Sequence, residues 1–314
     1  MNSLCAPNRA LRLLQALLLV TLAGVASGAV AGLRVVTTLP DLAAIASAIG
    51  GDDVDVTALV LPSQDPHYVD ARPNLLIPMS RADLLIVNGL ELEIGWLPPL
   101  ITNARNRDIL PGARGHLDVS TVVERMDVPQ GRIDRSMGDV HPGGNPHFTF
   151  DPRRARDVAV AVRDRFIELD RPNTEAYMRR ANAFVAQLDE LIRDQRQRFA
   201  ELPRQQRRVV TYHRSLIYLL DWLDVEDVMH IEPRPGIDPT PQHTARVLQV
   251  MRNEGIRVVL QEEFYRRNVS QTLCDMSGAT LVVIPGGTRF AQRQSYIDHL
   301  RGIADALHAA LSAH

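Results

Sequence analysis

Short β-branched, apolar runs alternate with helical patterns along most of this chain, and that alternation constrains the fold class more than any other feature. Residues 33–39 (LRVVTTL) read as a buried strand. Pro40-Asp41 then opens a helix that Gly50-Gly51 stops. A second strand is expected over residues 55–60, a short helix over 72–80 and a third strand over 84–88. Strand and helix in this rhythm predict a parallel α/β sheet with helices on its faces. Ligands of such sheets bind in loops beyond the carboxyl ends of the strands. His67, in LPSQDPHYVD, falls in a loop of that kind.

Residues 111–146 show no persistent period and read as an irregular surface excursion. It ends in HPGGNPHFTFD, residues 141–151, which packs two histidines, two prolines and two glycines into a stiff segment. Asp151-Pro152 predicts a helix start, with Asp as N-cap and Pro at the first helical position. That helix runs to about residue 169, Asp170-Arg171-Pro172 interrupts, and a second helix follows to about residue 202. Tyr177, Ala181, Phe184, Leu188, Leu191 and Ile192 give the second helix one apolar stripe. About 30 helical residues span roughly 45 Å, which suits either a rigid beam between two lobes or a long surface helix of one domain. The α/β rhythm then resumes. Strands are expected at 208–212, 225–232, 258–262 and 280–284, with helices between them and a last helix over about 295–311. The expected architecture is α/β with two lobes, each a mostly parallel sheet flanked by helices, joined by one long rigid helix. The expected boundaries are residues 1–31, 32–170, 171–203 and 204–314.

The first of these segments is of another kind. Arg9 and Arg12 precede an uncharged apolar run, and Ala29-Val30-Ala31 is a small-residue cleavage pattern. This predicts a secretory signal peptide cut after Ala31; its apolar core is short for a membrane span of roughly 20 residues. Cys5 precedes that core and so is not placed for lipidation. The chain has no lysine, and the segment after Ala31 carries 33 arginines against 37 acids, which argues against nucleic acid as partner. It also keeps a single cysteine, Cys274, so a metal site would be built from His, Asp and Glu.

Ten histidines occur. His116, His230, His243, His299, His308 and His314 read as surface or helix-face residues, and His141 as surface. His67 in DPHYVD, His147 in NPHFTF and His213 in TYHRSL each border an expected strand end or sit in a tight, proline-containing segment. Three imidazoles and one oxygen donor would suit zinc. The three are far apart in sequence and form no short motif, so the residues alone leave metal binding and structural hydrogen bonding both open.

VVTTLPDLAAIASAIGGD, DPHYVDARPN, ADLLIVNGLELE, NPHFTFDP, VVTYHRSLIYLLDWL, EPRPGIDPTPQH and VVLQEEF together resemble the zinc/manganese substrate-binding proteins of bacterial ABC importers, the cluster A-I family, over nearly all of residues 33–314. The resemblance implies two lobes bridged by a long helix, with the metal held between them. It places His67, His147 and His213 on the first three ligand positions. Manganese-selecting members typically carry Glu at the third, so His213 implies zinc as the transported ion, with manganese less favoured. The family's fourth ligand is commonly an acid in the loop after the last strand; here that loop reads IPGGTRF and has none. Water or Glu262 is left for that position, and Glu262 also suits a supporting or capping role.

The resemblance implies a monomeric periplasmic protein, not an enzyme, that delivers zinc to an inner-membrane ABC permease. A secreted zinc hydrolase, with Glu262 as general base, is the alternative that a three-histidine site leaves open. A metal-dependent adhesin is a third.

Overall fold

The computed structural model describes residues 32–131 and 138–313. The expected signal segment over residues 1–31, Cys5 with it, and His314 lie outside the described residues.

The first lobe contains β1 (Leu33–Thr37), α1 (Pro40–Gly50), β2 (Val54–Ala58), α2 (Leu76–Arg81), β3 (Leu84–Val87), α3 (Leu97–Ala104) and β4 (His116–Asp118). Its sheet has the order β2-β1-β3-β4 and is parallel throughout. β3 reads LLIV and is buried at every position, as expected of a strand covered by helices on both faces. Then come α4 (Pro152–Leu169) and α5 (Thr174–Ala200). Asp151 caps α4 by accepting from the Arg153 N–H at 2.8 Å, and Pro152 takes the first helical position. A 3₁₀ turn over Arg171–Asn173 separates α4 from α5. The second lobe contains β5 (Arg208–Thr211), α6 (Ile217–Leu223), β6 (Glu226–His230), α7 (Pro241–Glu254), β7 (Val258–Glu262), α8 (Asn268–Ser277), β8 (Thr280–Ile284) and α9 (Tyr296–Ser312). Its order, β6-β5-β7-β8, repeats that of the first sheet, again with parallel pairing.

Helix α5 has 27 residues, about 40 Å at 1.5 Å per residue. Its buried stripe of Tyr177, Ala181, Phe184, Leu188, Leu191 and Phe199 enters a core that both lobes share. Leu42 and Ile45 of α1 belong to that core, and so do Trp222 of α6, Leu260 of β7 and Leu300 of α9. Two smaller clusters lie apart from it, one around Leu85 and Trp96 and the other around Val259 and Met251. Each large side chain in the shared core stabilises by roughly 1.5–3 kcal/mol. The lobes therefore meet through packed side chains rather than through a flexible hinge.

Two expectations need correction. The stretch over residues 111–146 is not wholly irregular, because His116–Asp118 pairs with β3 as its fourth strand, Leu85 opposite His116. Three residues are too few to show a period. His116 is half-buried there, its Nδ1 3.0 Å from the Ile109 carbonyl, rather than on the surface. His299 is a helix-face residue, on the inward side. It lies in the apolar stripe of α9, is 1% exposed, and neither ring nitrogen has a hydrogen-bond partner among the described residues. Among the described residues, no helix is long and apolar enough to cross a membrane.

Candidate metal centre

The sheet order 2-1-3-4 reverses direction around the first strand of each lobe, and ligand crevices form at such reversals. His213 follows β5, Glu262 ends β7, His67 lies in the loop beyond β2, and His147 stands just ahead of α4. The structure brings His67, His147 and His213 together. The ring centre of His67 is 5.1 Å from that of His147 and 6.1 Å from that of His213, and His147 and His213 are 5.7 Å apart.

The first two histidines are set by the same local device. In Asp65-Pro66-His67, Asp65 Oδ1 accepts from the His67 backbone N–H at 2.9 Å and from His67 Nδ1 at 2.8 Å. In Asn145-Pro146-His147, Asn145 Oδ1 accepts from the His147 N–H at 3.0 Å and from Nδ1 at 2.9 Å. A short Asx side chain bonds readily to the backbone two residues on, and the intervening proline holds its predecessor extended. In sequence the histidine and the proline of each segment stand out, whereas the Asx that clips them does not.

His213 lacks an Asx two residues before it and is oriented from another strand. Its Nδ1 is 2.6 Å from Glu232 Oε2, just beyond β6, and both side chains are buried. Each of the three Nδ1 atoms thus faces an acceptor that has no proton to give, so each Nδ1 carries the hydrogen. Each Nε2 is left with a bare lone pair, the form in which imidazole binds a metal. Burial, and then the neighbouring rings of His67, His213 and His141, hold the His147 pKa well below its ordinary value. At His213 burial also disfavours charge, but the hydrogen bond and charge of Glu232 outweigh it and raise the pKa.

Glu262 is fully buried. Its Oε1 accepts from Ser215 Oγ, and its Oε2 has no partner among the described residues. Burial pushes its carboxyl up to about 7. The loop after β8 borders the same small cavity as His147 and Glu262 through Gly286. Thr288 in IPGGTRF donates from its N–H at 2.7 Å and its hydroxyl at 2.5 Å to Asp41 of α1.

Side chains of the segment after β3 fix the carbonyls just ahead of both clipped histidines. Trp96 Nε1 donates to the Pro66 carbonyl at 2.8 Å, and Asn88 Nδ2 to the Pro146 carbonyl at 2.9 Å. That segment turns through Gly89, Leu90 and Glu91, all at positive φ. Buried Glu93 holds the turn by accepting from the N–H groups of Asn88 at 2.8 Å and Gly89 at 3.1 Å and from Thr38 Oγ1 at 2.6 Å. Asn145 Nδ2 donates to the Arg214 carbonyl at 2.9 Å, joining the His147 segment to the loop of His213.

The expectation for His141 fails. It is half-buried rather than on the surface, and its Nε2 is 3.2 Å from His67 Nε2. Burial, and then the charge of His67, lower its pKa to about 4. His141, His147 and His213 open onto a cleft of about 570 Å³ that Glu232, His230 and Pro235 also line. Among the described residues no three His, Cys, Asp or Glu side chains stand at the spacing of a formed metal site. The ring of His213 is set widest and would have to shift inward to share an ion.

The family model described as zinc-uptake complex component A, periplasmic, matches residues 35–310. The manganese-binding lipoprotein MntA of Halalkalibacterium halodurans is 24% identical over 285 residues, covering 90% of this chain and 89% of that protein. The manganese ABC transporter substrate-binding lipoprotein PsaA of Streptococcus pneumoniae is 27% identical over 226 residues, 70% of this chain and 68% of its own. Among solved structures, a ZnuA crystal structure superposes with a TM-score of 0.74 at 21% identity, covering 89% of this chain and 99% of that one. A manganese-bound periplasmic metal-binding protein from Candidatus Liberibacter asiaticus gives 0.73 at 21% identity, over 88% and 98%. These likenesses agree on the two-lobed fold. With a match over nearly the whole of residues 33–314, the chain belongs to the ZnuA family of periplasmic metal-binding proteins, which serve ABC transporters as substrate-binding proteins and are not enzymes.

Proposed function

We propose that this protein is exported, binds one zinc ion between its lobes and hands it to an inner-membrane ABC permease. The observation that carries this reading is the shared state of the three imidazoles. Asp65, Asn145 and Glu232 take the Nδ1 hydrogens of His67, His147 and His213, which leaves their Nε2 lone pairs for an ion. Acceptors of this kind fix the ring and raise the basicity of a metal-bound imidazole. Manganese, the ion named for several relatives, favours carboxylate, carbonyl and water oxygens, whereas imidazole suits zinc. Glu262 acts from beside the imidazoles, a buried carboxyl with one oxygen held by Ser215. Residues 1–31 direct export with cleavage after Ala31, and the product is a monomer.

The test is metal content and competitive titration of residues 32–314 with zinc, manganese and copper. The expected outcome is one zinc per chain, not displaced by excess manganese, with a rise in melting temperature on adding zinc. His147→Ala should keep the circular dichroism of the wild type and lose that rise. An equal zinc-dependent rise in both proteins would sink the assignment of His147, and tighter binding of manganese than of zinc would sink the choice of ion.

A further inference from the structure

His141 Nε2 and His67 Nε2 are 3.2 Å apart. Because Asp65 holds the Nδ1 hydrogen of His67, that Nε2 presents a lone pair. Two nitrogens bound to one zinc at 2.0–2.1 Å in a tetrahedral set are about 3.3 Å apart. His141 Nε2 is within hydrogen-bond distance of that lone pair and donates to it; with the His141 hydrogen moved to Nδ1, the two nitrogens stand at the spacing of ligands sharing an ion. The two ring centres are 5.4 Å apart, close to the 5.1 Å between His67 and His147.

The backbone that carries His141 is built into both lobes. Tyr68, next to His67, donates its hydroxyl to Asp139 Oδ2 at 2.5 Å, and the Asp139 N–H donates to the Pro235 carbonyl at 2.9 Å. The approach needs glycine on each side. A Cβ at Gly138 (φ +78°) would lie 2.1 Å from the Pro235 carbonyl oxygen, and one at Gly236 (φ +72°) 2.1 Å from Asp139 Oδ2. On the other side of His141, the Gly144 N–H donates to the His141 carbonyl at 3.2 Å.

The other sources of a fourth donor are the loop after β8 and Glu262, whose Oε2 has no partner among the described residues. The loop after β8 offers no acid, and its Thr288 is bound to Asp41. Glu262 has one oxygen held by Ser215. We propose that His141 is the fourth metal donor, completing a set of four imidazoles, and that Asp139 positions it through Tyr68 and Pro235. This rests on the metal-site reading above and deepens it. Four neutral nitrogen donors further favour zinc over oxygen-seeking ions.

The test compares the wild type with His141→Ala and Asp139→Ala by zinc-edge X-ray absorption, by the visible spectrum of the cobalt(II)-loaded proteins and by zinc affinity in chelator competition. The wild type is expected to show four imidazoles around zinc. His141→Ala should still take one zinc but show three imidazoles and an oxygen, with affinity lower by about 10–100-fold, the scale at which disturbed coordination is felt. Asp139→Ala should bind more weakly while keeping the four-imidazole spectrum, which a residue acting only on the fold would not separate. Identical zinc spectra and affinities for His141→Ala and wild type overturn the proposal and leave the three-histidine site standing. A wild type that takes up no stoichiometric zinc overturns both.

Discussion

Buried Glu232 holds His213 Nδ1 at 2.6 Å and raises the pKa of a ring that burial alone would lower. His147, a few ångströms away, is driven the other way by burial and by its neighbours' charge. Of these two imidazoles only His213 is thus disposed to take a proton, and with zinc bound as proposed, proton and metal would compete for its Nε2. Zinc affinity should fall as pH is lowered through the raised pKa of His213. Glu232→Gln removes the charge, so the affinity of the variant should depend less steeply on pH between 6 and 8, and at pH 8 it should be lower by about 10–100-fold. Chelator competition across that range measures both. Parallel curves for the two proteins would show that His213 is not the proton-sensitive ligand. In the metal-free chain the sign is that of any raised histidine. The pair stabilises fully below the unfolded pKa of about 6.5, and its contribution is lost as pH rises through the folded value.

Glu93 gives a second pH dependence. Burial pushes its carboxyl up to about 7, although Thr38, Asn88 and Gly89 all donate to it and favour the anion. A carboxyl raised on folding binds more protons in the native state than in the unfolded one. Its stabilising contribution is therefore full below the unfolded pKa of about 4.3 and is lost as pH rises through about 7. At 1.36 kcal/mol per unit, this amounts to at most about 4 kcal/mol between those limits. Glu93→Gln should abolish that slope. It should also cost about 1–3 kcal/mol at low pH, because the new amide cannot accept from every donor now facing the carboxyl. Denaturant midpoints of both proteins from pH 4.5 to 8 give the comparison, and matching slopes would refute the role of Glu93.

The fold was readable because each strand is a β-branched run bounded by helix starts and glycine stops, as at LRVVTTLPD and at AIGG. What escaped was short or relational. β4 has only three residues, His116–Asp118, and exists because β3 offers it a free edge. His67, His147 and His213 could be singled out by their settings, but metal binding followed only from family resemblance. Glu232, which orients His213, is nineteen residues away and is recognisable only once β5 and β6 lie side by side. His141 reads as a surface residue in sequence because a histidine in a glycine-rich loop carries no local mark. It matters through its distance to a residue 74 positions earlier.

The repeated Asx-Pro-His clip separates geometry from charge in orienting an imidazole. Asn145 and Asp65 hold their histidines with the same two hydrogen bonds, each to a single Oδ1 atom. A neutral amide oxygen therefore suffices for the geometry at position 147. Asp65→Asn should accordingly keep the orientation of His67 and lose only the negative charge behind it, lowering zinc affinity several-fold. Asp65→Ala removes both hydrogen bonds, frees the ring to turn and should lower affinity by about 10–100-fold, as losing the partner of a metal-bound histidine does. Neither change should unfold the chain, because Trp96 still holds the Pro66 carbonyl at 2.8 Å. Zinc affinities of the two variants, with circular dichroism as the control, decide between the contributions. If Asp65→Asn is as weak as Asp65→Ala, charge and not orientation is what Asp65 supplies, and the Asn145 clip cannot serve as its equivalent.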